Sequence, residues 1–419
     1  MRSAHARGRS VRTSRRPVAA CSIAVLAAGL VAAGCGKSSS SGGGGVKGDT
    51  VTVGAALSLT GSLAREGTLT KQGYQLCQQK VNAKGGIKAG GTTYKLKITY
   101  KDDKSQPDTS AQLVDSFNDQ GVKFILGPYG SDSTEAAAAV VERNGQVMLD
   151  SAGADNTIFD KGYKRTFAVL SPATEYTGAL IKAASTLKPA PKTVAVLTAD
   201  DGFSKTAAKG GVTAAKRAGM KVVAQEEFPA HTTDVSTALT KVRGKNPDLI
   251  LGSVHLEEGV AIVKQAGELG VHPQGIAETV APPTPDFVKA LGSRANGVLG
   301  STQWTPQVKG SDAVFGTAKQ YAQAFQSRFH TAPEYHSAEA AAACLAMVLG
   351  IQKAGSTNPD QVRDAVANID TESFFGPITF DDTGKNVTKP MSVIQIQHGK
   401  AVTIWPANQA EAKAQWPAP

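Results

Sequence analysis

From Thr50 to Ala367 short β-rich runs alternate with longer helical patterns, and this alternation leaves few architectures open to the chain. Val51–Leu57 reads as a strand. Leu69, Gly73, Leu76, Cys77 and Val81 then mark one face of a helix that stops at Gly85-Gly86. Further strands are expected at 96–100, 123–126, 146–150, 165–169, 193–198, 221–224, 248–252, near 274–277, and at 297–301. Helical patterns at about 109–118, 133–144, 174–187, 203–218, 234–243, 257–269, 312–329, 336–353 and 359–367 fill the gaps. Strand then helix, repeated, means a parallel sheet covered on both faces. The chain has 419 residues, enough for two such domains of ordinary size. The expected class is α/β, with two such sheets. From Gly376 the rhythm breaks: Ile378–Phe380, Met391–Gln397 and Val402–Trp405 read as strands around Asp381-Asp382-Thr383-Gly384, an antiparallel annex on one domain. Residues 407–419 are polar and rich in Ala and Pro, and are expected to fray.

The start of the chain carries a different signal. Arg2, Arg7, Arg9, Arg12, Arg15 and Arg16 precede an apolar run from Val18 to Val31, and residues 31–36 read V-A-A-G-C-G. That order is a basic region, an apolar region and a small-residue cleavage site with a cysteine first after the cut. It implies a signal peptide over 1–34 and an exported protein anchored to the outer face of the cell membrane by lipid on Cys35. The apolar run is shorter than the ~20 residues that span a bilayer. Ala32 departs from the usual pattern, since bacterial lipoboxes commonly carry Leu three before the cysteine. Residues 35–49 lack apolar periodicity and read as a flexible tether. Gly43, Gly45 and Gly48 match G-x-G-x-x-G but precede their strand, and Gly36-Lys37-Ser38 lacks the earlier glycine of a phosphate loop. The formal charge of +10 is concentrated in the leader, where the arginines meet no acid. The rest is nearly balanced and interspersed, which argues against a nucleic-acid partner.

Of the four cysteines, Cys21 lies in the leader and Cys35 is the lipid site. Cys77 and Cys344 remain; in an oxidising compartment they pair, or else sit as small buried hydrophobes. There is no G-x-S-x-G elbow and no H-E-x-x-H. The histidines at 231, 255, 272, 330, 336 and 398 have no metal spacing. Asp102-Asp103 and Asp200-Asp201 read as helix caps and turns at strand ends rather than catalytic pairs. No catalytic residue, metal site or cofactor is expected, which counts against the alternative of an exported hydrolase.

The stretches VGAALSLTGSLAREG at 53–67, VNAKGGI at 81–87, DDKSQP at 102–107, FILGPYGSDST at 124–134, VAVLTADDGFS at 194–204 and GPITFDDTG at 376–384 stand in an ordered series. The series resembles the periplasmic-binding-protein type 1 family, specifically the branched-chain amino acid (leucine-binding) substrate-binding proteins of ABC importers. The resemblance implies two doubly wound parallel-sheet lobes joined by a three-crossover hinge, closing on a small ligand and delivering it to an importer permease. Lobe 1 is placed at 50–170 plus 304–372, lobe 2 at 171–303 plus 373–410, and a tail at 411–419. A lipid-anchored sensor for amides or small organic acids is the alternative within the same fold.

Parallel sheets offer ligand sites at the carboxyl ends of their strands, where helix N-termini present unpaired N–H groups. Ser131 sits at such an end, and the resemblance implies that it holds the ligand carboxylate; Asp132 with Glu135 also reads as a helix cap. Gly153 and Asp155 fall in the loop implied to hold the amino-acid head group, with Asp155 in place of the family threonine. Asp155 either pairs with a ligand ammonium or bonds its own loop backbone. In lobe 2, Glu278 matches the acid implied to meet the ammonium, with a solvated loop glutamate as the plain reading. Phe203 replaces a Tyr and Val254 an aromatic, while Glu66 occupies a position that is often Tyr. Trp304 either walls the cleft or packs the hinge.

Overall fold

The computed structural model describes residues 46–418; Cys35, the leader and most of the tether lie outside the described residues. In the first lobe β1 (Val46–Lys47) pairs antiparallel with β2 (Thr50–Leu57). The chain continues through α1 (Ala64–Ala83), β3 (Ile87–Ala89), β4 (Thr92–Asp102), α2 (Pro107–Asp119), β5 (Phe124–Leu126) and α3 (Ser131–Arg143). It then forms β6 (Val147–Asp150), the short α4 (Asn156–Phe159) and β7 (Thr166–Ala168). The sheet order is β3-β4-β2-β5-β6-β7, parallel except for the hairpin of β3 with β4 and the β1 edge.

The second lobe runs through α5 (Ala173–Ala184), β8 (Thr193–Ala199), α6 (Gly202–Arg217), β9 (Lys221–Phe228) and α7 (Ser236–Arg243). β10 (Leu249–Ser253), α8 (Leu256–Glu268), β11 (Gly275–Glu278), α9 (Pro285–Leu291) and β12 (Leu299–Thr302) follow. The chain then returns to lobe one as a small hairpin, β13 (Ser311–Asp312) with β14 (Gly316–Thr317), before α10 (Ala318–Phe329), α11 (Tyr335–Ala354) and α12 (Pro359–Ala367). A second hairpin, β15 (Asp370–Ser373) with β16 (Gly376–Thr379), precedes β17 (Ser392–Gln397) and β18 (Lys400–Trp405). These last two strands extend the second sheet, whose order is β18-β17-β12-β11-β10-β8-β9.

Several elements differ from the sequence expectation. The helix expected from 312 starts only at Ala318, because Asp312 Oδ1 accepts the N–H groups of Val314 and Phe315 and turns the chain into the β13–β14 hairpin. The C-terminal strands do not form one annex. Residues 376–385 stay with lobe one, where Ala168 N donates to Gly384 O and Phe167 packs on Phe380, so the third crossing falls at 386–391 rather than 372–373. The tail does not fray: Trp416 Nε1 donates to Pro189 O and Ala418 N to Gln274 O.

The three crossings are bonded to one another. Gln303 and Ser171 exchange two hydrogen bonds at 3.0 and 3.1 Å, and Ser171 Oγ donates to Lys389 O at 2.9 Å. Lys389 Nζ in turn donates to Gln303 O, and its ammonium lies 4.2 Å from the Phe375 ring centre. Burial lowers the Lys389 pKa to about 7, with Glu339 opposing the shift. In lobe one α11 lies buried against α1, and the close crossing needs Gly73, whose added Cβ would stand 2.2 Å from Ser337 O. A disulfide joins Cys77 on α1 to Cys344 on α11, with Cα atoms 6.2 Å apart, so the two thiols pair rather than sit free. Among the described residues no single helix is long and apolar enough to cross a membrane.

Candidate functional site

Both sheets reverse their strand order at a point facing the other lobe. In lobe one β2 leads outward to β4 while β5 returns on its other side; in lobe two β8 leads to β9 while β10 returns. The loops after β2, β5, β8 and β10 therefore converge, each opening a helix, and such switch points are where α/β sheets leave a crevice. Ser62, Leu63 and Glu66 come from the first loop and the helical turn it opens, Tyr129 and Ser131 from the second, Asp201 and Phe203 from the third, His255 and Glu258 from the fourth. Together they line two adjoining interlobe cavities of about 120 and 130 Å³. A larger cavity of about 560 Å³ lies at the opposite end of the lobe two strands, beside Gly275 and Val298, and one lobe alone lines it.

Ser131 is the first residue of α3, preceded by Gly130 at φ 91, a left-handed conformation that favours glycine. Its Oγ accepts the Asp155 N–H at 3.1 Å, which leaves the hydroxyl proton to donate elsewhere. Across the cleft, Phe203 packs edge-on against Tyr176 and lies 5.3 Å from the His255 ring. The α6 N-terminus closes tightly on lobe one: a Cβ on Gly202 would stand 2.9 Å from Asp155 Oδ2 and 3.0 Å from Asp132 Oδ1. Burial, with Asp201 and Glu135 nearby, raises the Asp132 pKa.

His255 caps α8, with Nε2 3.5 Å from Asp201 Oδ2. Burial opposes its charge, but Asp201 above all, then Glu258 and Glu66, outweigh that and raise its pKa to about 9. Glu258 spends its oxygens on the backbone N–H groups of His231 and His255. At the cleft mouth Arg65 reaches three carboxylates: Nη2 meets both oxygens of Glu334 at 2.8 and 2.9 Å, Nε meets Asp286 of lobe two, and Nη1 meets Glu66 at 3.3 Å. Burial works against the guanidinium charge, but Glu334, Asp286 and Glu66 hold its pKa raised.

Of the residues named from sequence, Ser131, Phe203 and Glu66 face these cavities. The others lie behind. Gly153 donates to Asp150 Oδ1 and packs against Thr134, where a Cβ would stand 2.5 Å from the Thr134 Cβ. Asp155 caps α4 through Thr157 N and accepts a 2.7 Å hydrogen bond from Thr206 across the lobes. Val254 is fully buried and donates its N–H to Thr279 Oγ1. Glu278 is fully buried beneath α8; among the described residues neither oxygen has a hydrogen-bond partner, and a Cβ on Gly259 would stand 2.7 Å from Oε2. Burial, then Glu258, raises its pKa well above the ordinary carboxyl range. Trp304 packs edge-on against Tyr321 and donates to Phe374 O, away from the cleft. The sequence reading missed Tyr129, Arg65 and His255. Each is one or two residues from one it named, so the strand-end rule located the loops but not the side chains that turn inward. Among the described residues no group of three or more His, Cys, Asp or Glu could hold a metal ion.

The sequence matches the family model described as periplasmic binding protein over residues 50–401. A Leu/Ile/Val-binding protein homolog 8 from Brucella abortus is 27% identical over 380 residues, covering 87% of this chain and 92% of that relative. Among solved structures, the branched-chain amino acid transporter substrate binding protein LivJ from Streptococcus pneumoniae, in complex with isoleucine, superposes with TM-score 0.74 at 24% identity, over 88% of this chain and all of that one. A solute binding protein from R. palustris in complex with benzoate gives TM-score 0.70 at 16% identity, over 88% and 97%. Both structures share the two-lobed α/β fold.

Proposed function

Because the chain belongs to the periplasmic binding protein family, a family of substrate-binding proteins rather than enzymes, we propose that it captures an amino acid or similarly small polar molecule between its lobes and delivers it to an ABC importer permease. The observation that carries this is the convergence of helix N-termini from both lobes on one small cleft, with the Ser131 hydroxyl at the α3 terminus. Helix N-termini favour a ligand carboxylate, and contact with both lobes lets a ligand favour the closed arrangement by its differential affinity. Gly153, Asp155 and Val254 serve this site from behind, as supports for the loops that face it. The three bonded crossings serve as the hinge.

Export and a lipid anchor on Cys35 complete the proposal, supported by the V-A-A-G-C-G stretch after a basic and an apolar region. Replacing Cys35 by Ala should move the protein out of the membrane fraction; unchanged partitioning would refute the anchor. A second reading, a small aromatic acid, is favoured by the Phe203 and Tyr129 rings beside His255, and by the neighbour in complex with benzoate. Thermal-shift screening of the mature protein against amino acids, their amides and aromatic acids separates the two, because a ligand that binds only the native state raises its apparent stability. Stabilisation by amino acids is expected. Stabilisation by aromatic acids alone would replace the first reading with the second.

A further inference from the structure

The head-group assignment implied by the resemblance puts the ammonium partner in lobe two, at Glu278. The geometry points elsewhere. Glu278 lines neither cleft cavity, and its carboxyl lies one layer back, beneath Gly259. Of the other acids that line the two cavities, Asp201 pairs with His255, Asp132 faces the α6 N-terminus at Gly202, Glu258 is occupied by two backbone N–H groups and Glu257 is exposed.

Glu66 is different. It is 8% exposed, stands on the first turn of α1, and shares the cavity wall with Tyr129, His255 and Val280. Its Oε1 accepts from Arg65 at 3.3 Å, the longest of that guanidinium's contacts, and among the described residues no donor bonds Oε2. Arg65 does not neutralise it, because Glu334 and Asp286 share the same single positive charge. The nearby His255 is paired with Asp201. A buried carboxylate short of positive charge is costly unless something supplies it.

Building on the amino-acid reading above, we propose that Glu66 receives the cationic group of the ligand, so that the cleft selects molecules with an ammonium or equivalent cation and rejects the same skeleton without one. Glu66 is then a specificity-determining residue contributed by lobe one, and Arg65 positions it while tying it to Asp286 of lobe two.

The test is calorimetric titration of the mature protein with matched sets such as L-leucine, 4-methylpentanoate and 3-methylbutylamine, extended to the corresponding sets for the other amino acids. For the amino acid that binds, Glu66→Gln should lower affinity by about 10-fold or more, the scale of a lost charge-assisted contact. The deaminated acid should bind wild type weakly and change by less than about twofold in the variant, a pattern that a merely structural role does not produce. Glu66→Asp, which keeps the charge, should recover part of the loss, and it carries the test if the Gln variant lacks a cooperative melt. Glu278→Gln should leave the amino-acid affinity within about twofold of wild type. Amino-acid binding that survives Glu66→Gln but drops in Glu278→Gln would overturn the Glu66 assignment and leave the amino-acid reading standing. Binding of deaminated acids with no response to any amino acid would overturn both.

Discussion

The two lobes share a sheet plan but are braced differently. In lobe one the α1 wall of the cleft is cross-linked to the buried α11 by Cys77–Cys344, and the main apolar core runs continuously beneath both. In lobe two much of the sheet is covered by two smaller clusters, one around Leu239, Ile250 and Ile262, the other around Phe287, Leu291 and Ile396. A carboxyl with no partner, Glu278, is buried beneath α8 there. The contrast teaches that similar folds can give one wall that is held covalently and another that carries an unsatisfied polar group. The braced lobe supplies Ser131 from α3 and Glu66 from α1; the other supplies Phe203 and His255.

Breaking the brace should have the largest effect. Replacing Cys77 and Cys344 together by Ser removes a link between residues 267 apart in sequence, and loss of a native disulfide costs about 2–5 kcal/mol, more for long loops. Denaturant unfolding with the slope held constant reads this directly. A change below about 0.5 kcal/mol, the size of an ordinary surface substitution, would mean that α1 and α11 are held by packing alone.

Repairing lobe two should work in the opposite direction. Glu278→Met keeps similar length and removes the unpartnered carboxyl, and relief of such a group is worth about 1–3 kcal/mol. The variant is expected to be more stable than wild type at neutral pH; a loss of stability would show that Glu278 has a partner in solution.

A smaller effect, in pH dependence, sharpens the same point. The folded pKa of Glu278 is raised, so above the unfolded value of about 4.3 the unfolded chain releases a proton that the folded chain retains. The unfolded state then binds fewer protons, and this residue makes stability fall as pH rises from that value toward the folded pKa. Glu278→Met lacks this contribution, so its advantage should be near its minimum at pH 4 and grow toward pH 7. Parallel stability curves for the two proteins over that window would contradict the assignment.

Much of the architecture was legible because strands buried on both faces leave short continuous apolar runs between helical patterns. The runs at Val51–Leu57, Thr193–Ala199 and Leu249–Ser253 are buried almost throughout, as strands covered on both faces must be. Short elements left weaker traces. The β13–β14 hairpin carries Val314 and Phe315 at spacings that also suit a helix, and only the Asp312 turn decides between them. α9 begins with Pro285 at its first position, a start signal for a helix of only seven residues with little periodicity to read. In the candidate site, Ser131 was legible because it opens a helix after a strand. Tyr129 and His255 were not, because sequence places a loop at the mouth of a cleft without saying which of its side chains turn inward.

The sequence by itself determined the α/β class, the two sheets and the strand ends from which a cleft could be built, since these follow from local periodicity and chain direction. Tertiary structure alone decided the rest. Whether Cys77 meets Cys344, which lobe keeps residues 376–385, and whether Glu66 or Glu278 faces the cavity all depend on distances between segments far apart in the chain. A carboxylate has the same chemistry at either position. What separates the two is burial: one layer of helix, closed over Glu278 by the glycine at 259, against an open cavity wall at Glu66.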